Sequence, residues 1–105
     1  MTPHSLGRVN VAAAGTPVPL AATRTMCSRI RAQVVAGLTG KMYLGTTGLT
    51  KSSLAGVIKE FWPNTSGGIS DSFEIAADGN ELDLSAYLID AAVTGEGLIV
   101  AYWVK

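Results

Sequence analysis

Cysteine and histidine are almost missing from this chain. Its 105 residues hold one cysteine, Cys27, and one histidine, His4. A single cysteine excludes an internal disulfide and argues against an extracellular, disulfide-stapled fold. A single histidine leaves a zinc site dependent almost wholly on carboxylates, a poor donor set for that metal. No metal or other cofactor is expected. Charge is scarce as well: charged residues make up 15% of the chain and aromatic residues 7%, against 48% hydrophobic residues. No apolar run approaches the roughly 20 residues a membrane helix requires, so no membrane partner is expected. The segment Met1–Ala22 has no charged start leading into an apolar core and does not read as a secretory signal.

What is present fits one domain over residues 1–105. A chain of this size buries roughly 60–70% of its unfolded surface, enough for one modest core. The polar coat is thin for a small monomer, and eight basic residues balance eight acidic ones. Weak charge repulsion and an apolar surface excess favour a subunit that covers part of itself with neighbours.

The zero net charge hides a segregation. Residues 1–59 carry seven basic side chains (Arg8, Arg24, Arg29, Arg31, Lys41, Lys51, Lys59) and no acid. Residues 60–105 carry eight acids (Glu60, Asp71, Glu74, Asp78, Glu81, Asp83, Asp90, Glu96) and one base, Lys105. In a fold that interleaves the halves, these charges pair within the molecule, which is the simpler reading. The alternative is a bipolar subunit whose two faces meet those of its neighbours. Nucleic acid is not an expected partner, because the basic residues lack interleaved aromatics and the acids oppose a phosphate track.

Period-two alternation broken by small-residue turns runs through most of the chain, the pattern of short antiparallel strands. Arg8–Val11 alternates, and Val18–Leu20 is a short apolar stretch whose flanking Pro17 and internal Pro19 suit a sheet edge. Cys27–Ala36 puts Ile30, Ala32, Val34 and Ala36 on one face and Arg29, Arg31 and Gln33 on the other. The turn Leu38–Gly40 then predicts a hairpin with Lys41–Leu44, ended by Gly45–Gly48. Ser72–Ala76, Leu82 with Leu84, Ala86–Asp90 and Leu98–Val104 supply further strands. The last is apolar on both faces, so a position covered on both sides is expected, in a sandwich or at a subunit contact. Ser52–Trp62 breaks the pattern: Leu54, Val57, Ile58 and Phe61 have helical spacing, with Pro63 as a stop, although Gly56 weakens a helix. That stretch is read as a short helix or a long ordered loop. The fold class expected is all-β, mainly antiparallel, a β-sandwich or small barrel.

No catalytic set assembles from these residues. Gly45–Ser52 resembles a phosphate-binding loop, but Thr50 stands where a glycine must precede Lys51. Cys27 as a nucleophile would need His4 as its base, and Cys27 reads better as a small core residue. Asp78, Asn80, Glu81 and Asp83 lack the spacing of a calcium loop. Asn64-Thr65-Ser66 fits a glycosylation triplet without a secretory context. Trp62 and Trp103, or Trp62 with Tyr43, could stack on sugar rings, but core or interface anchoring is the commoner use of two tryptophans. The chain reads as a non-enzyme.

Gly68–Ile75, Asn80–Ala91 and Gly95–Tyr102 are similar to a recurrent pattern in small virion proteins of tailed bacteriophages. Gly15–Leu20 and the strand from Cys27 followed by Lys41–Gly45 resemble the same group, while Ser52–Trp62 departs from it. The resemblance implies a β-sandwich that decorates or cements the capsid surface of the virion, usually as a homotrimer. It also implies binding to the major capsid protein after synthesis in the host cytoplasm. Residues 1–7 would serve as a docking arm, and the interface would draw on Thr2, Pro3, His4, Leu6, Arg8, Arg29, Arg31, Trp62 and Trp103. A neck, tail or fibre-associated virion protein is the alternative, followed by a sugar-binding module on the particle.

Overall fold

Alternating side chains sort the chain into strands with one apolar face each, and the computed structural model stacks those faces against one another. It describes residues 2–35, 39–63, 71–77 and 79–104. In chain order the strands are β1 (Thr2–Asn10), β2 (Val18–Pro19), β3 (Met26–Cys27), β4 (Arg29–Val34), β5 (Met42–Thr50), β6 (Ala55–Phe61), β7 (Ser72–Ala76), β8 (Leu82–Asp83), β9 (Leu88–Ala91) and β10 (Gly97–Val104). A 3-10 turn at Leu84–Ala86 is the one helical element among the described residues.

The first sheet has the order β1-β10-β4-β7 and the second β2-β9-β5-β6, while β3 and β8 form a short pair beside them. Every pairing is antiparallel. The protein is therefore an all-β antiparallel sandwich. Ile30, Ala32 and Val34 of β4 and Leu98 and Val100 of β10 face Met42, Leu44, Phe61, Ile89 and Ala91 of the second sheet across a closed core. Val11, Leu20, Cys27 and Leu84 fill its ends. The pleat explains the selection, since residues two apart share a face and only one face of each sheet can be buried.

Several expectations change in three dimensions. The hairpin between Cys27–Ala36 and Lys41–Leu44 does not form: β4 pairs with β10 and β7, and β5 pairs with β6 and β9. The chain crosses between sheets there, so the two apolar faces oppose each other rather than lie side by side. The hairpin's Ala36 and Leu38 lie outside the described residues. Beyond Leu44, β5 does not end but runs on to Thr50 through two register shifts.

Ser52–Trp62 is neither helix nor loop but a turn followed by β6. Leu54 (φ 63°) and Gly56 (φ 72°) are left-handed, a conformation no right-handed helix tolerates. Leu54 and Ile58 are 47% and 44% exposed, so the helical stripe never forms and Phe61 alone of the four reaches the core. The edge position expected for Val18–Leu20 holds, with β2 outermost in its sheet.

Residues 2–7 of the stretch 1–7 expected as a docking arm belong to β1, which pairs with β10 from Thr2↔Val104 to Asn10↔Gly97. Gly97 is required for that pairing, because a methyl there would overlap the Val9 carbonyl and stand 2.6 Å from Asn10 Oδ1. The contributions of the two halves do interleave: β10 from the acidic half lies between β1 and β4 from the basic half. Both ion pairs found among the described residues, Lys41–Glu60 at 3.8 Å and Lys59–Asp71 at 3.4 Å, join one half to the other.

Candidate functional site

β10 lies in the interior of its sheet yet is covered on one side only. Leu98 and Val100 are fully buried and Tyr102 packs against the core, whereas Ile99 is 41% exposed and Ala101 and Trp103 are half-buried. Both faces of β10 are apolar, as its sequence indicates, but among the described residues no second layer covers the outer one. Ile99, Ala101 and Trp103 form, with Arg31 and Gln33, an open groove of about 250 Å³.

Register places the rest of this face. Arg29, Arg31 and Gln33 stand opposite Trp103, Ala101 and Ile99 on β4, while their neighbours Ile30, Ala32 and Val34 go inward. On the other flank, Pro3, Ser5 and Arg8 of β1 stand opposite the same three β10 residues. Ser72, Glu74 and Ala76 of β7 complete it beyond β4. The Arg29 guanidinium lies 5.8 Å from the centre of the Trp103 ring, within cation–π range. Arg8 Nε donates to Asn10 Oδ1 at 2.6 Å, which holds that side chain along β1.

Of the interface residues proposed from sequence, Pro3, Arg8, Arg29, Arg31 and Trp103 thus converge on one surface. Thr2 and His4 alternate to the other side of β1, where the His4 ring stacks on Tyr102 at 5.1 Å and 15°. Leu6 occupies the bulge between Ser5 and Gly7. Trp62 is 61% exposed at the end of β6 in the other sheet, with Lys41 Nζ 4.1 Å from the centre of its ring. Tyr43, the other half of a sugar platform, is buried and unavailable for stacking. Ile99, Ala101 and Gln33 were missed as site residues. The two-sided apolarity of Leu98–Val104 was the signal for the first two.

The remaining reactive side chains serve the fold. Lys51 Nζ donates to the Ala91 carbonyl at 2.9 Å, which ties it to backbone rather than to a phosphate loop. Cys27 is buried with Sγ 3.5 Å from the Leu82 carbonyl, and burial pushes its thiol above the ordinary value. No hydrogen bond joins it to His4 among the described residues. Asp90 is buried and its Oδ1 accepts from Gly15 N–H at 2.9 Å and from its neighbour Ala91 N–H at 2.8 Å. Glu96 accepts from Thr39 N–H, Thr39 Oγ1 and Gly40 N–H at 2.8–3.2 Å. Among the described residues no group of three or more His, Cys, Asp or Glu could hold a metal ion. The glycosylation triplet at 64–66 and Asp78 lie outside the described residues.

Asp83, set among the calcium candidates, caps the 3-10 turn instead. Its Oδ1 accepts from Ser85 Oγ at 2.8 Å, Ser85 N–H at 3.0 Å and Thr25 N–H at 3.1 Å. The Ser85 hydroxyl is the main cause holding its carboxyl below the ordinary aspartate value. Burial opposes the effect, and the two N–H donors and the Arg24 charge add to it. Because the folded value is the lower one, this stabilisation is complete above the ordinary value. It is lost as pH falls through the folded one. Ser85→Ala should therefore shrink the fall in thermal midpoint between about pH 5 and about pH 2.5, followed by circular dichroism.

No protein-family model, curated protein or solved structure matches this chain. Its class is accordingly defined by its own geometry: an antiparallel β-sandwich with an uncovered apolar and basic outer face.

Proposed function

We propose that this protein is a structural subunit of a bacteriophage virion. In this reading it is a non-catalytic decoration or cement protein that seats the outer face of its first sheet on the major capsid protein. The observation that carries this reading is the uncovered Ile99–Ala101–Trp103 strip on an interior strand, ringed by Arg8, Arg29 and Arg31. The likeness of Gly68–Ile75, Asn80–Ala91 and Gly95–Tyr102 to small phage virion proteins supports it. Binding the assembled shell but not its separated parts stabilises the shell by mass action.

Area bears on the assembly state. Strands of nine, eight, six and five residues, rising about 3.3 Å per residue and spaced about 4.8 Å apart, give a face of roughly 450 Å² in projection. A specific interface takes about 800 Å² per partner, so one face by itself makes a marginal contact. A homotrimer presenting three such faces to one shell gains the deficit through effective concentration. The test is co-sedimentation of the purified protein with phage heads that lack it, alongside its mass in dilute buffer. A trimer that binds heads and raises their rupture temperature is expected. A monomer that ignores heads overturns the proposal, and attachment at the neck, tail or fibres replaces the capsid site.

A further inference from the structure

We propose that the occupant of the outer face of the first sheet is an extended, acid-bearing segment of a partner polypeptide. Its alternate carboxylates would pair with Arg29 and Arg31 while its aliphatic side chains lie on Ile99 and Ala101. This rests on the reading above that the face docks, and it names the chemistry the face selects.

Charge is the first argument. Arg8, Arg29 and Arg31 share the face with one carboxylate, Glu74, and no ion pair among the described residues involves any of the three arginines. Glu74 stands opposite Arg31 in register, and five of the other acids are committed elsewhere. Glu60 and Asp71 pair with lysines, and Asp83, Asp90 and Glu96 accept backbone N–H groups. The face therefore carries an excess of positive charge in a chain whose formal total is zero. Guanidinium groups favour carboxylates through paired, parallel hydrogen bonds.

Spacing is the second argument. Arg29 and Arg31 are alternate residues of one strand, as are Ile99, Ala101 and Trp103 of the next. Alternate side chains of a strand repeat every 6.6–6.8 Å or so, about the repeat of any extended segment laid along it. In a segment lying edge-on over the seam between β4 and β10, acids two residues apart would splay toward both arginines and the residues between them toward Ile99 and Ala101 on the other side. Trp103 closes one end of that floor beneath Arg29. Single-stranded nucleic acid is the poorer fit, since Ile99 and Ala101 offer no stacking surface and Glu74 repels phosphate.

The full chain carrying Trp62→Phe leaves Trp103 as the sole tryptophan, so its emission reports on the face. The probes are a synthetic decapeptide of alternating glutamate and valine, the same peptide with lysine for glutamate, and a ten-nucleotide oligothymidylate. We expect a saturable blue shift with the glutamate peptide, half-complete below about 1 mM, and none with the lysine peptide. Arg31→Glu, at an exposed position, should weaken the glutamate peptide at least about tenfold, as should raising salt from about 50 to about 300 mM. No saturable response to the glutamate peptide overturns the inference, as does tighter binding of the oligonucleotide or a response that Arg31→Glu leaves unchanged. A clear peptide response from a protein that ignores phage heads sinks the virion reading and leaves this one standing. Attachment to heads without a peptide response does the reverse.

Discussion

Glu96→Ala is expected to lower the unfolding free energy by about 2–3 kcal/mol, read from urea denaturation at neutral pH. The nearly buried carboxylate accepts three hydrogen bonds from one loop: Thr39 N–H at 2.8 Å and Thr39 Oγ1 at 3.2 Å on Oε2, and Gly40 N–H at 3.1 Å on Oε1. Alanine would remove all three; Thr39 is exposed and Gly40 half-buried, so water can reach the freed donors and the loss stays near about 1 kcal/mol for each bond. The Glu96 backbone adds a tie of its own, since its carbonyl accepts from Val11 N–H at 2.9 Å. Glu96→Gln separates charge from shape. Its amide oxygen can still accept, but its amide nitrogen would face a donor, so the loss should be about half that of alanine. Equal stability of Glu96→Ala and the parent would show that the loop does not depend on this carboxylate.

Phe61→Ala is expected to cost about 3–5 kcal/mol by the same measurement, while Leu54→Ser and Ile58→Ser each cost under about 0.5 kcal/mol. Phe61 is the largest fully buried side chain and pairs in register with Met42, itself buried. Truncation there removes apolar contact and leaves a cavity that close-packed neighbours only partly fill. Leu54 and Ile58 project from a turn and from β6 into solvent. A helix packed along its Leu54, Val57, Ile58 and Phe61 stripe would instead suffer at all of these positions. The mutational pattern therefore separates strand from helix without a new structure.

The reason that segment misleads is local. Leu54, Val57, Ile58 and Phe61 match a helical stripe as residue types. Left-handed Leu54 and Gly56 break that periodicity, and pairing with β5 then chooses the strand. Propensity over a few residues is a weak prior that tertiary pairing overrides. The hairpin assigned to Leu38–Gly40 failed for a related reason. A short turn is compatible with strands side by side or with strands facing each other, and the cost of leaving two apolar faces wet selects the second. Arg29, Arg31 and Gln33 against Ile30, Ala32 and Val34 were legible at once, because alternation in a strand with one buried face has one solution.

The candidate site was legible in part. Trp103 and the basic residues Arg8, Arg29 and Arg31 were visible as surface side chains, and the double apolarity of Leu98–Val104 marked the strand. Their convergence was not visible, since Arg8 and Trp103 lie at opposite ends of the chain and meet only through the β1–β10 pairing. Trp62 had the same residue-level credentials, and the fold sends it to the other sheet.

By itself the sequence determined the all-β class, most strands and which of their side chains turn inward, because these follow from local alternation and from the solvation cost of apolar atoms. The tertiary structure alone decided which strands pair, that β10 is covered on one side only among the described residues, and that the carboxylates of Asp90 and Glu96 accept from backbone donors of distant loops. Those choices depend on contacts between residues distant in the chain, whose free energy exists only once both partners are in place.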